Sequence, residues 1–249
     1  MSEVQIVDIR GLLDSYEFPY TLPGSGQELL IKPITTGQMK KVLVYEDETD
    51  PFVIEEALDK LITDCVTTPD FNVETLYLQD RFSLLLEIRK VSKGDTYQFS
   101  WKCPKCKVDN MNGVVISGLD VKPFNREDNI IPINERLKFE VDFPTRADQK
   151  DAIHRVKGKP MGYREQQVEV QTGTFANSVK KVHTPEAVLD NIPFDDKVFI
   201  LDNISSDVFE TFTTWFKEHD FGVDFVSDVM CISCQHKEKM DIPLSDFFV

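Results

Sequence analysis

Positive charge is scarce in this chain of 249 residues: 28 lysines and arginines face 43 aspartates and glutamates, for a formal net charge of −15. A chain this acidic is repelled by a phosphate backbone and by an anionic membrane surface, which argues against general nucleic-acid binding. No apolar run approaches the roughly 20 residues needed to span a bilayer. The opening Met-Ser-Glu-Val-Gln-Ile-Val-Asp lacks the basic-then-apolar pattern of a signal peptide, and the closing Ser-Asp-Phe-Phe-Val carries no lipidation motif. The expectation is a protein made and kept in cytoplasm. Walker A, His-Glu-x-x-His and Gly-x-Ser-x-Gly sequences are all missing. Gly24-Ser25-Gly26 is too short, and wrongly placed, for a phosphate loop. His154, His183 and His219 have no partners at useful spacing, and the many carboxylates select no particular pair. Nothing here names a reaction. There is no low-complexity tract, and no repeat beyond a pair of cysteine motifs.

What is present is ordinary globular material, 41% hydrophobic and 29% charged, enough for one large domain or two small ones. Pro23-Gly24-Ser25-Gly26 is a turn signal between alternating flanks, which predicts a β-hairpin. Thr36 is placed to cap a short helix. Asp50 and Pro51 form an N-cap and N1 pair for a helix carrying Phe52, Ile54, Leu58, Leu61, Ile62 and Cys65. A further helix opens at Asn72 or Asp80 and stops at Lys90-Val91-Ser92-Lys93-Gly94. From Thr96 the period becomes two, with Tyr97, Phe99 and Trp101 on one face. Met111–Ile116 reads as the returning strand and Leu137–Phe143 as another. Residues 118–136 look loop-like. Short helices are expected near 184–191 and 193–202, and Ser205 is placed to cap an amphipathic helix. Phe221–Met230 and the Met240, Ile242, Leu244 series read as strands.

Five cysteines without a signal peptide argue against a disulfide framework. Four form two Cys-x-x-Cys pairs, Cys103/Cys106 and Cys231/Cys234. Two intervening residues let both sulfurs of a tight turn face one ion, and two such knuckles complete the tetrahedral S4 shell that zinc prefers. The intervening chain, 107–230, is far longer than the roughly 15–20 residues of a compact site. One Zn2+ per chain therefore requires 118–222 to be an insertion between two hairpins of a zinc ribbon; zinc shared between two chains is the alternative. Four thiolates leave no open position for catalysis. Neither pair sits at the start of a helix after a strand, against a thioredoxin-like redox role. Lys102, Lys105, Lys107, His236, Lys237 and Lys239 flank the knuckles. They read first as charge balance for a Zn(Cys)4 centre and second as a basic knob for an anionic partner.

Cys65, on an apolar helix face, reads as a small core residue. Phe209, Phe212, Trp215 and Phe216 read as a core stripe. Phe247, Phe248 and Val249 differ: three apolar residues in succession at the end of the sequence must fold back onto the body or dock into another protein, and are candidate partner-binding residues. Residues 145–182 are the one basic region, with eight lysines and arginines against four acids, and read as a solvated face or a contact to an acidic protein.

Three blocks carry a family resemblance: Leu22-Pro23-Gly24-Ser25-Gly26 with Leu30-Ile31-Lys32-Pro33; Leu85-Leu86-Glu87-Ile88-Arg89-Lys90-Val91-Ser92-Lys93-Gly94 running into a strand and Cys-x-x-Cys; and Cys231-Ile232-Ser233-Cys234 with the terminal Asp246-Phe247-Phe248. Together with the length, they resemble the T4-type bacteriophage baseplate protein family, over nearly the whole chain but loosely between 118 and 200. The resemblance implies a non-enzymatic tail baseplate protein of the host cytoplasm, needed to build the central hub of a contractile tail. Its partners would be other baseplate hub proteins, and its role that of an assembly factor or chaperone.

The expected fold is α+β. It comprises an N-terminal hairpin and helical region (1–94, a helical N-terminal half), a first ribbon hairpin (95–117), an inserted α/β region (118–222) and a second ribbon hairpin with its tail (223–249). The competing functional readings are a zinc-ribbon nucleic-acid or transcription accessory protein, which the net charge opposes, and an enzyme with a structural zinc.

Overall fold

The computed structural model describes residues 16–44 and 50–243. The fold is α+β, with small antiparallel sheets and helices around two hydrophobic cores.

The chain opens with a hairpin, β1 (Phe18–Thr21) and β2 (Glu28–Ile31), paired with Phe18 opposite Ile31. Helix α1 (Thr36–Leu43) is capped by Thr35, one residue before the expected Thr36. The Thr35 hydroxyl accepts from the Gln38 N–H while the Gln38 side chain accepts from the Thr35 N–H. Helix α2 (Pro51–Cys65) starts as the sequence predicts, with the Asp50 carboxylate accepting from the Phe52 N–H at 2.9 Å. Asn72 caps only a 3-10 turn, Val73–Thr75. Helix α3 (Leu78–Lys93) has no side-chain cap and ends at Gly94, φ +90°. Asp80 does not cap α3; it reaches across to the hairpin turn and accepts from the N–H groups of Gly24 (2.6 Å) and Ser25 (2.9 Å). The description "helical N-terminal half" thus holds for 36–93, between a hairpin and a strand.

Strands β3 (Thr96–Lys102) and β4 (Asp109–Val115) form the next hairpin. Residues 118–136, expected as loop, contain β5 (Val121–Lys122) and β6 (Ile130–Asn134). They are followed by β7 (Leu137–Val141), α4 (Arg146–Val156), α5 (Tyr163–Ser178), β8 (Val179–His183), β9 (Val188–Leu189), α6 (Phe194–Asn203), α7 (Ser206–Glu218), β10 (Gly222–Val223), β11 (Val226–Met230) and β12 (Lys237–Asp241). The helix expected near 184–191 does not form. Pro185 removes a donor, and Thr184 closes a turn onto Ala187 through its N–H and its hydroxyl, so the segment turns back as β9 beside β8.

One core joins the first hairpin, α2, α3, β3, β11 and Ile242: Ile31, Ile62, Cys65, Leu84, Ile88, Tyr97, Trp101, Val229 and Ile242 are buried together. The other joins the sheet β6-β7-β8-β9 to α7, with Ile131, Phe139, Phe143, Val182, Phe212, Trp215 and Phe221 at its centre. Strand β7 alternates, with Phe139 and Val141 buried and Lys138 and Glu140 on the other face, while an irregularity in its register with β8 leaves Val179 and Val182 as the buried residues of that strand. The Phe209/Phe212/Trp215/Phe216 stripe is core, as its spacing predicts, with the Phe139 and Phe212 rings edge to face at 6.2 Å. Helices α4 and α5 had no strong apolar stripe to reveal them. They pack through small residues, so closely that a Cβ on Gly173 would lie 2.9 Å from the Ala152 Cβ. Strands β5 and β10 pair where the chain leaves and re-enters the first core, Val121 opposite Val223 and Lys122 opposite Gly222.

Candidate metal centre

Each cysteine pair occupies a six-residue turn closing a two-stranded hairpin. In the first, Lys102 pairs with Asp109; in the second, Met230 pairs with Lys237. The turns have matching backbones. The Cys103 N–H donates to the Val108 carbonyl (3.0 Å), as the Cys231 N–H does to that of His236 (2.9 Å). The Lys107 N–H donates to the Cys103 carbonyl (3.0 Å), as the Gln235 N–H does to that of Cys231 (3.0 Å). The residue after the second cysteine is left-handed in both, with φ +62° at Lys107 and +57° at Gln235. That bend turns each chain back into its returning strand and leaves both sulfurs on the inner side.

The hairpins meet knuckle to knuckle. Cys103 Sγ lies 3.6 Å from Cys234 Sγ, and Cys106 Sγ lies 3.4 Å from Cys231 Sγ. All four sulfurs lie within 4.8 Å of one another, and none is in a disulfide. A tetrahedron with Zn–S bonds near 2.3 Å has sulfurs about 3.8 Å apart, so the four are gathered closely enough to hold one ion. Cys103 and Cys231 are buried, Cys106 half-buried and Cys234 exposed.

Asn110 locks this approach, and the sequence reading passed over it. Its Oδ1 accepts from the Ile232 N–H of the other knuckle (3.0 Å), and its Nδ2 donates to the Val108 carbonyl (2.8 Å). The available signal was its phase: it is the one fully buried residue of β4, at a position where an apolar side chain would be expected. The Asn112 amide adds a second link, to Ser227 Oγ at 3.2 Å.

Two of the four thiols are shifted, in opposite directions. N–H groups of Cys234 and Ser233 and the neighbouring thiols draw the Cys231 thiol down to about 6, against the effect of burial. For Cys234 the His236 N–H acts downward, but burial and three adjacent sulfurs push it up to about 12. His236 is not a ligand; its Nε2 faces Glu238 at 3.4 Å. The five knuckle lysines are exposed.

Other candidates fall elsewhere. Cys65 is fully buried in the first core, its thiol pushed up to about 11 by burial. His183 pairs with Glu140 at 3.0 Å, and the His219 ring stacks on Trp215 at 4.6 Å. Phe247, Phe248 and Val249 lie outside the described residues. No described helix is long and apolar enough to cross a membrane.

No curated protein and no solved structure matches this chain. One protein-family model does, that of the T4 bacteriophage base plate protein, over residues 15–249, a span that takes in both cores and both knuckles. By that match, the chain belongs to the T4 bacteriophage base plate protein family.

Proposed function

We propose that this chain is a non-enzymatic assembly factor of the phage tail, acting in the host cytoplasm through protein contacts to help build the central hub of the baseplate. Its four clustered cysteines hold one structural Zn2+. Family membership supports the baseplate role and contact with other baseplate proteins. The carrying observation for the zinc is the four-sulfur cluster, which joins turns 125 residues apart in sequence (Cys106 to Cys231) at tetrahedral spacing. A centre with four protein sulfurs has no vacant position for water or substrate, which suits a staple and not a catalyst. Zinc binding free energy then becomes folding free energy, because the unfolded chain offers no formed site. The region 118–222 is, in this reading, an insertion carried between the two ribbon hairpins.

The zinc is tested by elemental analysis of protein purified without chelator, together with its mass in solution. One zinc per monomer is expected; zinc found only in a dimer, or a folded metal-free protein, overturns the intramolecular ribbon. The hub role is tested in a phage lacking this protein. Tail hubs should fail to assemble and be restored by supply of the intact chain. Complete hubs formed without it would overturn the assembly reading while leaving the zinc centre untouched.

A further inference from the structure

Five exposed lysines, Lys102, Lys105, Lys107, Lys237 and Lys239, lie on the two knuckle turns and the strand ends beside them. Over residues 102–109 and 230–239 only Asp109 and Glu238 oppose them, a net +3 in a chain of formal charge −15. A Zn2+ held by four thiolates adds two negative charges, and the tip stays positive. None of the five lysines forms an ion pair among the described residues; Glu238 instead faces His236 at 3.4 Å.

Apolar surface is exposed among these cations. Ile232, between the two cysteines of the second knuckle, is 78% exposed, and Val108, just past the first, is 36% exposed. One carboxamide places the two in a single patch: Asn110 Oδ1 accepts from the Ile232 N–H (3.0 Å) and Asn110 Nδ2 donates to the Val108 carbonyl (2.8 Å). Met230, also exposed, lies opposite Lys237 at the base of the second turn. Lys107 is held at φ +62°, a conformation that glycine adopts with less strain. A long cation kept at a strained backbone position is a sign of use.

The composition of the patch selects its partner. Nucleic-acid surfaces draw on arginine forks for phosphate and on exposed aromatic rings that stack on bases. Residues 95–117 and 223–243 hold no arginine, and Tyr97, Phe99 and Trp101 are buried in the first core. Lysines around exposed aliphatic side chains are complementary instead to carboxylates around apolar ones.

We propose that the tip of the paired knuckles is the docking surface for an acidic segment of another baseplate protein. Apolar side chains of that segment cover Ile232 and Val108, and its carboxylates meet Lys105, Lys107 and Lys237. The proposal rests on the reading of this chain as an assembly factor that works through protein contacts, and names the surface that makes one of them.

The test places a photoreactive p-benzoylphenylalanine at position 233 of the full chain, in cells infected by phage lacking the native copy, and identifies the cross-linked peptides by mass spectrometry. An acidic segment of another baseplate protein is expected. No cross-link, or cross-links only to nucleic acid, to a second copy of this chain, to host proteins or to a baseplate segment without acidic residues, overturn the proposal. In a Lys105→Glu/Lys107→Glu variant with unchanged metal content and melting temperature, the cross-link yield should fall at least about tenfold, and tail-hub assembly with it. Hubs at the parental level with that variant overturn the docking surface and leave the assembly role standing, whereas complete hubs in the absence of the chain strike the assembly role itself. Lys107→Gly supplies a readout that unfolding does not confuse. It should keep or raise the melting temperature and still lower the cross-link yield; an unchanged yield overturns the proposal.

Discussion

Asp59 and Arg146, 87 residues apart, meet through Oδ2 and Nε at 2.7 Å, while the other oxygen of Asp59 takes Nε of Arg81, also at 2.7 Å. Arg146 is 1% exposed. One carboxylate on α2 thus fixes α3 and the first turn of α4, and so ties the first core to the segment that carries the second. Glu55 supports Arg81 at 2.8 Å, and Gln149 takes an N–H of Arg146 at 2.7 Å. Removing one member of such a buried set leaves charge without compensation, at about 3–5 kcal/mol. Asp59→Asn and Arg146→Ala should each lower the unfolding free energy, read from urea titration, by about 3–5 kcal/mol. The double variant should lose much less than the two losses added, since each single loss is largely the stranded partner. Strict additivity would show that the pair is not coupled.

The four clustered cysteines should not behave like the fifth. Cys103→Ser and Cys231→Ser remove buried members of the four-sulfur cluster and, on the proposed zinc centre, should abolish zinc binding and cooperative unfolding, as a strong chelator should for the unaltered protein. Cys65→Ala removes only a small buried group and should leave zinc content unchanged, with a loss of about 1 kcal/mol. Zinc content and thermal unfolding measured on the same samples decide this. A Cys103→Ser variant that is metal-free yet melts like the parent would rule out the structural role.

Lys107 and Gln235 hold left-handed conformations that disfavour any residue with a Cβ by about 1 kcal/mol or more. Lys107→Gly and Gln235→Gly should therefore be neutral to stabilising by up to about 1 kcal/mol, after allowance for glycine's greater freedom in the unfolded chain. Chemical denaturation of the zinc-loaded protein checks this, and a loss above about 1 kcal/mol would contradict it.

Gly24 is constrained by space. A Cβ there would lie 2.3 Å from Phe221 Cε2 and 2.9 Å from Asp80 Oδ1. The Phe221 ring is held by Phe124 at 4.6 Å and Phe143 at 4.9 Å, so it has no room to withdraw. Gly24→Ala should destabilise by about 1–3 kcal/mol, whereas Gly26→Ala meets no neighbour and pays only for its φ of +69°. A melting-temperature comparison of the two variants tests the ordering.

Asn110→Ala should loosen the two knuckles from each other without removing a ligand. Zinc should still bind but exchange faster with a competing chelator, and stability should fall by about 0.5–1.5 kcal/mol, since the substitution removes the hydrogen bond from the Ile232 N–H. An unchanged zinc off-rate would show that the sulfurs alone align the turns.

Much of this protein is local information, and local information is legible. The Pro-Gly-Ser-Gly hairpin, the Asp50-Pro51 start of α2, the Gly94 stop of α3, the alternation of Tyr97, Phe99 and Trp101 and the Cys-x-x-Cys turns each follow from backbone preferences or periodicity within a few residues. The misses have equally physical causes. Helices α4 and α5 close through Ala152 and Gly173, which carry little hydrophobic signal. Thr184 and Pro185 favour a turn over the helix that their flanks suggested.

The sequence by itself therefore determined the element types over much of the chain and the two paired thiol turns, because these rest on neighbours along the chain. Only the tertiary structure decided that the two thiol turns face each other, that Asn110 joins them, that Asp80 serves a distant turn and not its own helix, and that Asp59 binds two arginines. The joining of the thiol turns and the Asp59–Arg146 pair depend on how residues 118–222 leave the first core at β5 and return at β10, and no local pattern encodes the distance between groups that far apart in sequence.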